Sequence, residues 1–212
     1  MINKLTLKQA KINIGNLSAP SKLRGYSYSI PANKCVTGAK LRKVKNSVCS
    51  GCYALKGNYK RFPSVFNALE NRYNLLMGDR DKWIESMITV LKSDAVSKQK
   101  YFRWHDAGEL QELNHLIDLV YIAEQVPELI FWIPTREYKI VKDYLKLYGK
   151  FPDNFVLRLS AHMIGEQAPK FHLSSTVNYK GFDCIAPKQA NKCGSCTACW
   201  NPKIQNINYK LH

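Results

Sequence analysis

The sequence predicts an α/β protein: a partial or open (β/α) barrel with mostly parallel strands and a loop-rich, cysteine-containing C-terminal tail. Three observations carry that expectation. Short β-branched and aromatic runs alternate with stretches of helical spacing, and parallel strands require such crossover elements. The chain has 212 residues, short of the roughly 250 of a closed eight-fold barrel. The strand-and-helix pattern fades after about residue 160, before the last four cysteines.

Taken in order, YSYSI (26–30) reads as a first strand. FPSVFNALENRYNLLMG then reads as a helix, with Phe66, Leu69, Tyr73 and Leu76 on one face and Gly78 as its stop. Asp79 fits the N-cap of a second helix carrying Trp83, Met87 and Leu91. KYFRWH (100–105) is a second strand, followed by a helix marked by Leu110, Leu113, Ile117 and Val120. LIFWI (129–133) is a third strand, bounded by Pro127 and Pro134. Ile140, Val141, Tyr144 and Leu145 mark the next helix, which stops at Gly149; FVLRLS (155–160) is a fourth strand. We expect a single domain over 1–212: a basic, solvated or substrate-facing arm over 1–25, a (β/α) core over 26–183 and a Cys-rich metal-binding tail over 184–212.

Charge is unevenly laid out. The formal net charge is +16, yet residues 1–69 hold 13 Lys and Arg and no acid, and four lysines and no acid follow Asp183. The positive charge therefore lies at the two ends, which also carry all seven cysteines. A basic surface of this kind is the footprint of a polyanion, so nucleic acid or a nucleotide is the expected partner. The same charge would also offset thiolates around a metal. No apolar run approaches the roughly 20 residues that span a bilayer, and no apolar h-region follows the first lysines, so no membrane partner and a cytoplasmic location are expected.

Without a secretion signal, clustered thiols point to metal rather than disulfides. The first set, Cys35, Cys49 and Cys52, is spaced C-x13-C-x2-C. Three thiolates leave one coordination position open, as a catalytic iron or zinc needs. The second set, Cys184, Cys193, Cys196 and Cys199, is spaced C-x8-C-x2-C-x2-C and forms a closed, structural or electron-carrying site. Its compact C-x2-C-x2-C run favours a 4Fe–4S cluster; zinc is the alternative. Tyr53 and Trp200, each directly after a cysteine, should pack beside these sites.

In parallel βα architectures the active site lies at the carboxyl ends of the strands. Cys35 follows the first strand, His105 and Asp106 the second, Arg136 the third and His162 the fourth. His105, Asp106, Arg136 and His162 are therefore the candidate catalytic residues lining a substrate cavity. Asp106 suits a general base, a nucleophile or a substrate contact; alternatively it or Glu109 caps the following helix. Arg103 and Trp104 alternate within their strand, so one of them should face the ligand.

The blocks CSGCYALKGNY (49–59), FRWHDAGE (102–109) and CGSCTACWNP (193–202) together resemble the phage gene product 88-like family over about residues 31–209. That resemblance implies a phage or mobile-element protein. Cys35, Cys49 and Cys52, placed after the first strand, also resemble the cluster site of radical S-adenosylmethionine enzymes, although the first gap here is 13 residues rather than three. That likeness implies an open iron for S-adenosylmethionine and an auxiliary cluster in the tail. DAGELQ (106–111) is similar to the DSGGFQ block of tRNA-guanine transglycosylases, which would make Asp106 a base-contacting carboxylate and the tail a zinc site.

Overall fold

A computed structural model describes residues 5–211, apart from the side chains of Asn58 and Lys60. Six strands form one sheet: β1 (Tyr26–Tyr28), β2 (Tyr101–Trp104), β3 (Ile130–Thr135), β4 (Phe155–Ser160), β5 (Ser174–Asn178) and β6 (Asn206–Lys210). All neighbours are parallel, and spatial order follows chain order. Among the described residues β1 and β6 do not pair, so the sheet is open rather than a closed barrel. The helices are α1 (Leu7–Ile14), α2 (Val36–Leu41), α3 (Gly57–Arg61), α4 (Pro63–Leu76), α5 (Arg80–Leu91), α6 (Asp94–Ser97), α7 (Leu113–Gln125) and α8 (Tyr138–Tyr148). No helix among the described residues is long and apolar enough to cross a membrane.

Alternation along the strands sorts the side chains into two faces. Tyr28, Phe102, Trp104, Phe131, Ile133, Leu157 and Leu159 pack with Trp83, Met87, Leu116 and Val141 from the helices. Each such burial contributes about 1.5–3 kcal/mol. The opposite face carries Arg103, Trp132 and Arg158, and Arg103 lies 4.4 Å over the Trp132 ring. Trp104 therefore lies in the main core, and Arg103 on the face opposite it.

The capping expectation for α5 holds: Asp79 accepts a hydrogen bond from the Lys82 amide at 3.1 Å. Gly149, in the left-handed region at φ 79°, ends α8. The third strand runs on through Pro134 to Thr135; a proline removes one ladder donor without ending the strand.

Three elements depart from the sequence reading. The basic arm contains α1, whose Ala10 and Ile14 are fully buried in the main core; residues 1–4 of that arm lie outside the described residues. Thr6 accepts from the Gln9 amide and Gly15 supplies a left-handed stop, so both helix signals were present in the sequence. The tail and the segment before it supply β5 and β6, which read as loop because they are polar. Their pairing is reinforced by a ladder of amides and hydroxyls: Ser174 to Asn206 at 2.8 Å, Asn206 to Thr176 at 3.1 Å, Thr176 to Asn208 at 3.2 Å and Asn178 to Asn208 at 2.9 Å. Phe66, expected on the buried face of its helix, is 43 % exposed.

Candidate metal and active site

The long connection after β1 closes over the carboxyl edge of the sheet. The Tyr53 hydroxyl donates to the Asp106 carbonyl after β2, and Tyr59 donates to the Asp106 carboxylate at 3.3 Å. Further along the edge, Val48 donates to the His162 carbonyl at 2.9 Å and Ile164 to the Asn46 carbonyl at 3.0 Å, both after β4. The three cysteines of this connection are thereby held above the strand ends.

Cys35 precedes α2, and Cys52 donates its amide to the Cys49 carbonyl at 3.2 Å in a tight turn. All three are free, half-buried thiols. Buried Gly38 faces them: a Cβ there would lie 3.0 Å from the Cys35 Cβ, 3.7 Å from the Cys49 Sγ and 3.8 Å from the Cys35 Sγ. Both sulfurs thus border the space a side chain would fill. Burial pushes the Cys35 and Cys49 thiols up; Glu109 adds to the effect at Cys35, and Arg136 opposes it at Cys49.

Glu109 ties this region together. It is 5 % exposed, and its carboxylate accepts from the amides of Leu110 and Arg136, each at 2.9 Å. Burial nevertheless outweighs these bonds and pushes its carboxyl up to about 7. The neighbouring Glu137 accepts from the Thr37 amide at 2.9 Å and hydroxyl at 2.7 Å, which pins α2 to the end of β3. Sequence reasoning treated Glu109 only as a cap. Helix α7 starts later, with Glu112 at its N-cap position, so neither Asp106 nor Glu109 caps it.

Three of the four candidate catalytic residues share this edge. Asp106 is half-buried and accepts from Ser27 at 3.4 Å as well as from Tyr59. The Arg136 guanidinium donates to the Ala161 carbonyl at 3.3 Å. His162 Nε2 lies 3.1 Å from the Arg136 carbonyl, and its ring stacks on Tyr138 at 4.2 Å. His105 is placed differently. Its backbone is left-handed, at φ 56°, and its ring is 3 % exposed, 5.3 Å from His115 of α7. Among the described residues neither ring nitrogen has a partner, and burial pushes the ring's pKa well below the usual histidine range.

The tail cysteines form a second group. Cys184, Cys193, Cys196 and Cys199 line one cavity of about 240 Å³ with Ile185, Ala198 and Ile207. Among the described residues no three Cys, His, Asp or Glu side chains converge on a single ion. All four tail thiols are free, and burial pushes Cys199 up to about 11 even though it lies 3.0 Å from the Tyr209 hydroxyl.

Trp200 anchors the group: it is buried, and its indole N–H donates to the Phe102 carbonyl at 2.9 Å. Arg158 anchors it further. This fully buried guanidinium donates to five carbonyls: Cys199 at 3.1 Å, Ile204 at 2.8 Å, Asn201 at 2.7 Å, and Ser174 and Ala198 at 3.4 Å. No carboxylate pairs with it among the described residues; the ionisable groups within electrostatic reach are Tyr209 and Cys199. Arg103 lies within electrostatic reach of Tyr53 and Asp106 and also of Tyr209 and Cys199. At its far end the tail crosses the open side of the sheet, where the Cys193 amide donates to the Lys22 carbonyl at 2.9 Å and Arg24 donates to the Gly194 carbonyl at 3.4 Å.

No curated protein and no solved structure matches this chain. One family does, over residues 3–180, a span that holds Cys35, Cys49, Cys52 and the segment from His105 to Glu109 and ends before Cys184. The chain belongs to the gene product 88 family of phage proteins.

Proposed function

We propose that this chain is an iron–sulfur enzyme of radical-SAM-like type that acts on nucleic acid or a nucleotide. One observation carries the reading: an incomplete, three-thiol set sits on the same carboxyl edge of an open parallel sheet as Asp106, Arg136 and His162. The donor chemistry fits a thiolate-held cluster at both places. Gly38 keeps a side chain out of the space beside the Cys35 and Cys49 sulfurs. The four tail thiols line one cavity of about 240 Å³, whereas a four-thiolate zinc site closes on its ion at about 2.3 Å. Arg103 and Arg158 would balance the negative charge of a cluster held by four thiolates.

Cys35, Cys49 and Cys52 would hold the cluster with an open position, and Cys184, Cys193, Cys196 and Cys199 would hold a second. When bound, the open cluster supplies a site for S-adenosylmethionine and an electron for its cleavage. The chain's own residues define the rest. Glu137 fixes the loop that carries the thiols through Thr37, and Glu109 lies within electrostatic reach of Cys35 and Cys49. Asp106, oriented by Ser27 and Tyr59, offers a carboxylate to a substrate hydroxyl or base edge. Arg136 offers a cation for a substrate phosphate, and the closing loop limits access of water.

Anaerobic purification with iron and sulfide analysis tests the metal. Reduction with S-adenosylmethionine tests the activity by release of 5′-deoxyadenosine, and Asp106→Asn should abolish product formation while leaving stability within about 1 kcal/mol, since Asp106 is not a cap. A colourless protein that binds only zinc overturns the iron–sulfur reading and favours base exchange with Asp106 as the acting carboxylate. Iron without S-adenosylmethionine cleavage favours a metal-stabilised nucleic-acid-binding protein, the reading that the acid-free first 69 residues support on their own.

A further inference from the structure

The connection over the carboxyl edge is unusual in what it exposes. Between residues 36 and 66 it presents Lys40, Lys43, Lys45, Lys56 and Arg61 to solvent. In the same span Tyr53 is 47 % exposed, Phe62 45 % and Phe66 43 %. Phe62 is the N-cap residue of α4 and Phe66 lies in its first turn, where the Phe66 amide donates to the Phe62 carbonyl at 3.3 Å. The Arg61 guanidinium lies 5.7 Å from the Phe62 ring centre. Tyr53 stands nearer the thiol group, its hydroxyl held by the Asp106 carbonyl.

Little negative charge opposes this rim. Glu109 and Glu137 are buried and hydrogen-bonded, Asp106 is half-buried and bonded to Ser27 and Tyr59, and Glu70 is paired with Lys34 at 3.6 Å. Glu166 is the exposed acid on the neighbouring loop after β4. A purely phosphate-binding surface has no use for large exposed rings, and an apolar docking patch has no use for five exposed cations. Cations interleaved with exposed aromatics match a single-stranded nucleic acid, whose phosphates meet the cations while its unpaired bases stack on the rings. A duplex keeps its bases inside and offers such rings nothing.

We propose that the rim formed by residues 36–66 binds single-stranded nucleic acid, with Phe62 and Phe66 as base-stacking platforms and Lys40, Lys43, Lys45, Lys56 and Arg61 on the backbone. This rests on the nucleic-acid part of the function proposed above and does not depend on the cluster. It leads the strand past Tyr53 to the edge that holds Asp106 and Arg136.

Fluorescence anisotropy on the anaerobically purified protein tests it, with four labelled probes of equal length: oligo-dT, oligo-U, an abasic strand and a duplex. The single strands should bind at least tenfold more tightly than the abasic strand or the duplex, and the oligo-dT and oligo-U arms tell which sugar is preferred. Phe62→Ala and Phe66→Ala should each weaken single-strand binding by about tenfold and leave abasic binding unchanged. Lys43→Ser with Lys45→Ser should lower the slope of log affinity against log salt by about 1.4. Equal binding of abasic strand and dT, or ring variants within twofold of wild type, overturns the stacking surface and leaves a generic polyanion site such as one for an acidic protein. No binding of any probe overturns the nucleic-acid reading as well. Metal content measured on the same samples keeps failure of the cluster separate from either.

Discussion

Arg158→Lys is the most exacting test of how the tail is held. The substitution keeps the positive charge and most of the stem, so it isolates the donors. Three of the five native hydrogen bonds are short, at 3.1, 2.8 and 2.7 Å to Cys199, Ile204 and Asn201. They leave from three different nitrogens of a planar fork. A lysine has three N–H groups on one nitrogen and keeps one of these partners. Two charge-assisted bonds are then lost, at about 1.5–3 kcal/mol each, so the loss is about 3–6 kcal/mol. Against a usual total of about 5–15 kcal/mol this is large. Urea unfolding followed by tryptophan fluorescence measures it, because Trp200 is buried beside the anchored loop. Limited proteolysis should cut the variant first between residues 184 and 204. An unfolding free energy within about 1 kcal/mol of wild type, with the tail still protected, would refute the reasoning.

Other outcomes follow from the same geometry. Gly108→Ala should destabilise by about 2–4 kcal/mol in the same assay, because Gly108 has φ +86° and a Cβ there would meet Ile30 Cγ1 at 2.4 Å and the Ile30 carbonyl at 2.6 Å. Glu109 carries a pH signature: its folded carboxyl titrates near 7, against an ordinary value of 4.5. The native state retains a proton that the unfolded chain has released, so stability falls as pH rises from about 4.5 to about 7, by up to about 3 kcal/mol, and is level above. Glu109→Gln should flatten that slope; an unchanged slope assigns it to another group. Cys52→Ser and Cys196→Ser should each remove the iron of one set and spare the other, and joint loss in either variant would mean a single shared site.

The fold was legible wherever burial is one-sided or complete. FVLRLS is buried at every position of β4 and occupies the predicted span. The β5 and β6 strands were not legible, since their pairing draws on Ser, Thr and Asn side chains and leaves no apolar period to read. Helix α1 was hidden by its basic composition, although Thr6, Gln9 and Gly15 spelled its ends. At the site, strand order alone predicted that Asp106, Arg136 and His162 would share an edge. His105 escaped that logic because its left-handed backbone breaks the alternation and its ring settles against His115. Glu109 was missed as an electrostatic neighbour of Cys35 and Cys49 because that proximity spans elements distant in sequence. Arg158 lies inside an apolar run, and an unpaired charge in such a run was the one available signal that something crosses the strand there.

The guanidinium of Arg158 reads main chain only. Every group it holds between residues 174 and 204 is a carbonyl oxygen, which all residues share. Apart from Trp200, the loop that presents Cys199 is therefore specified by its path rather than by its side chains. Mutational tolerance should follow that division: Thr197, Ala198 and Lys203 can drift with little penalty, whereas position 158 admits arginine alone. In a library scan of this chain, the most intolerant tail-determining position other than the cysteines and Trp200 would lie outside the tail itself, in the middle of a strand.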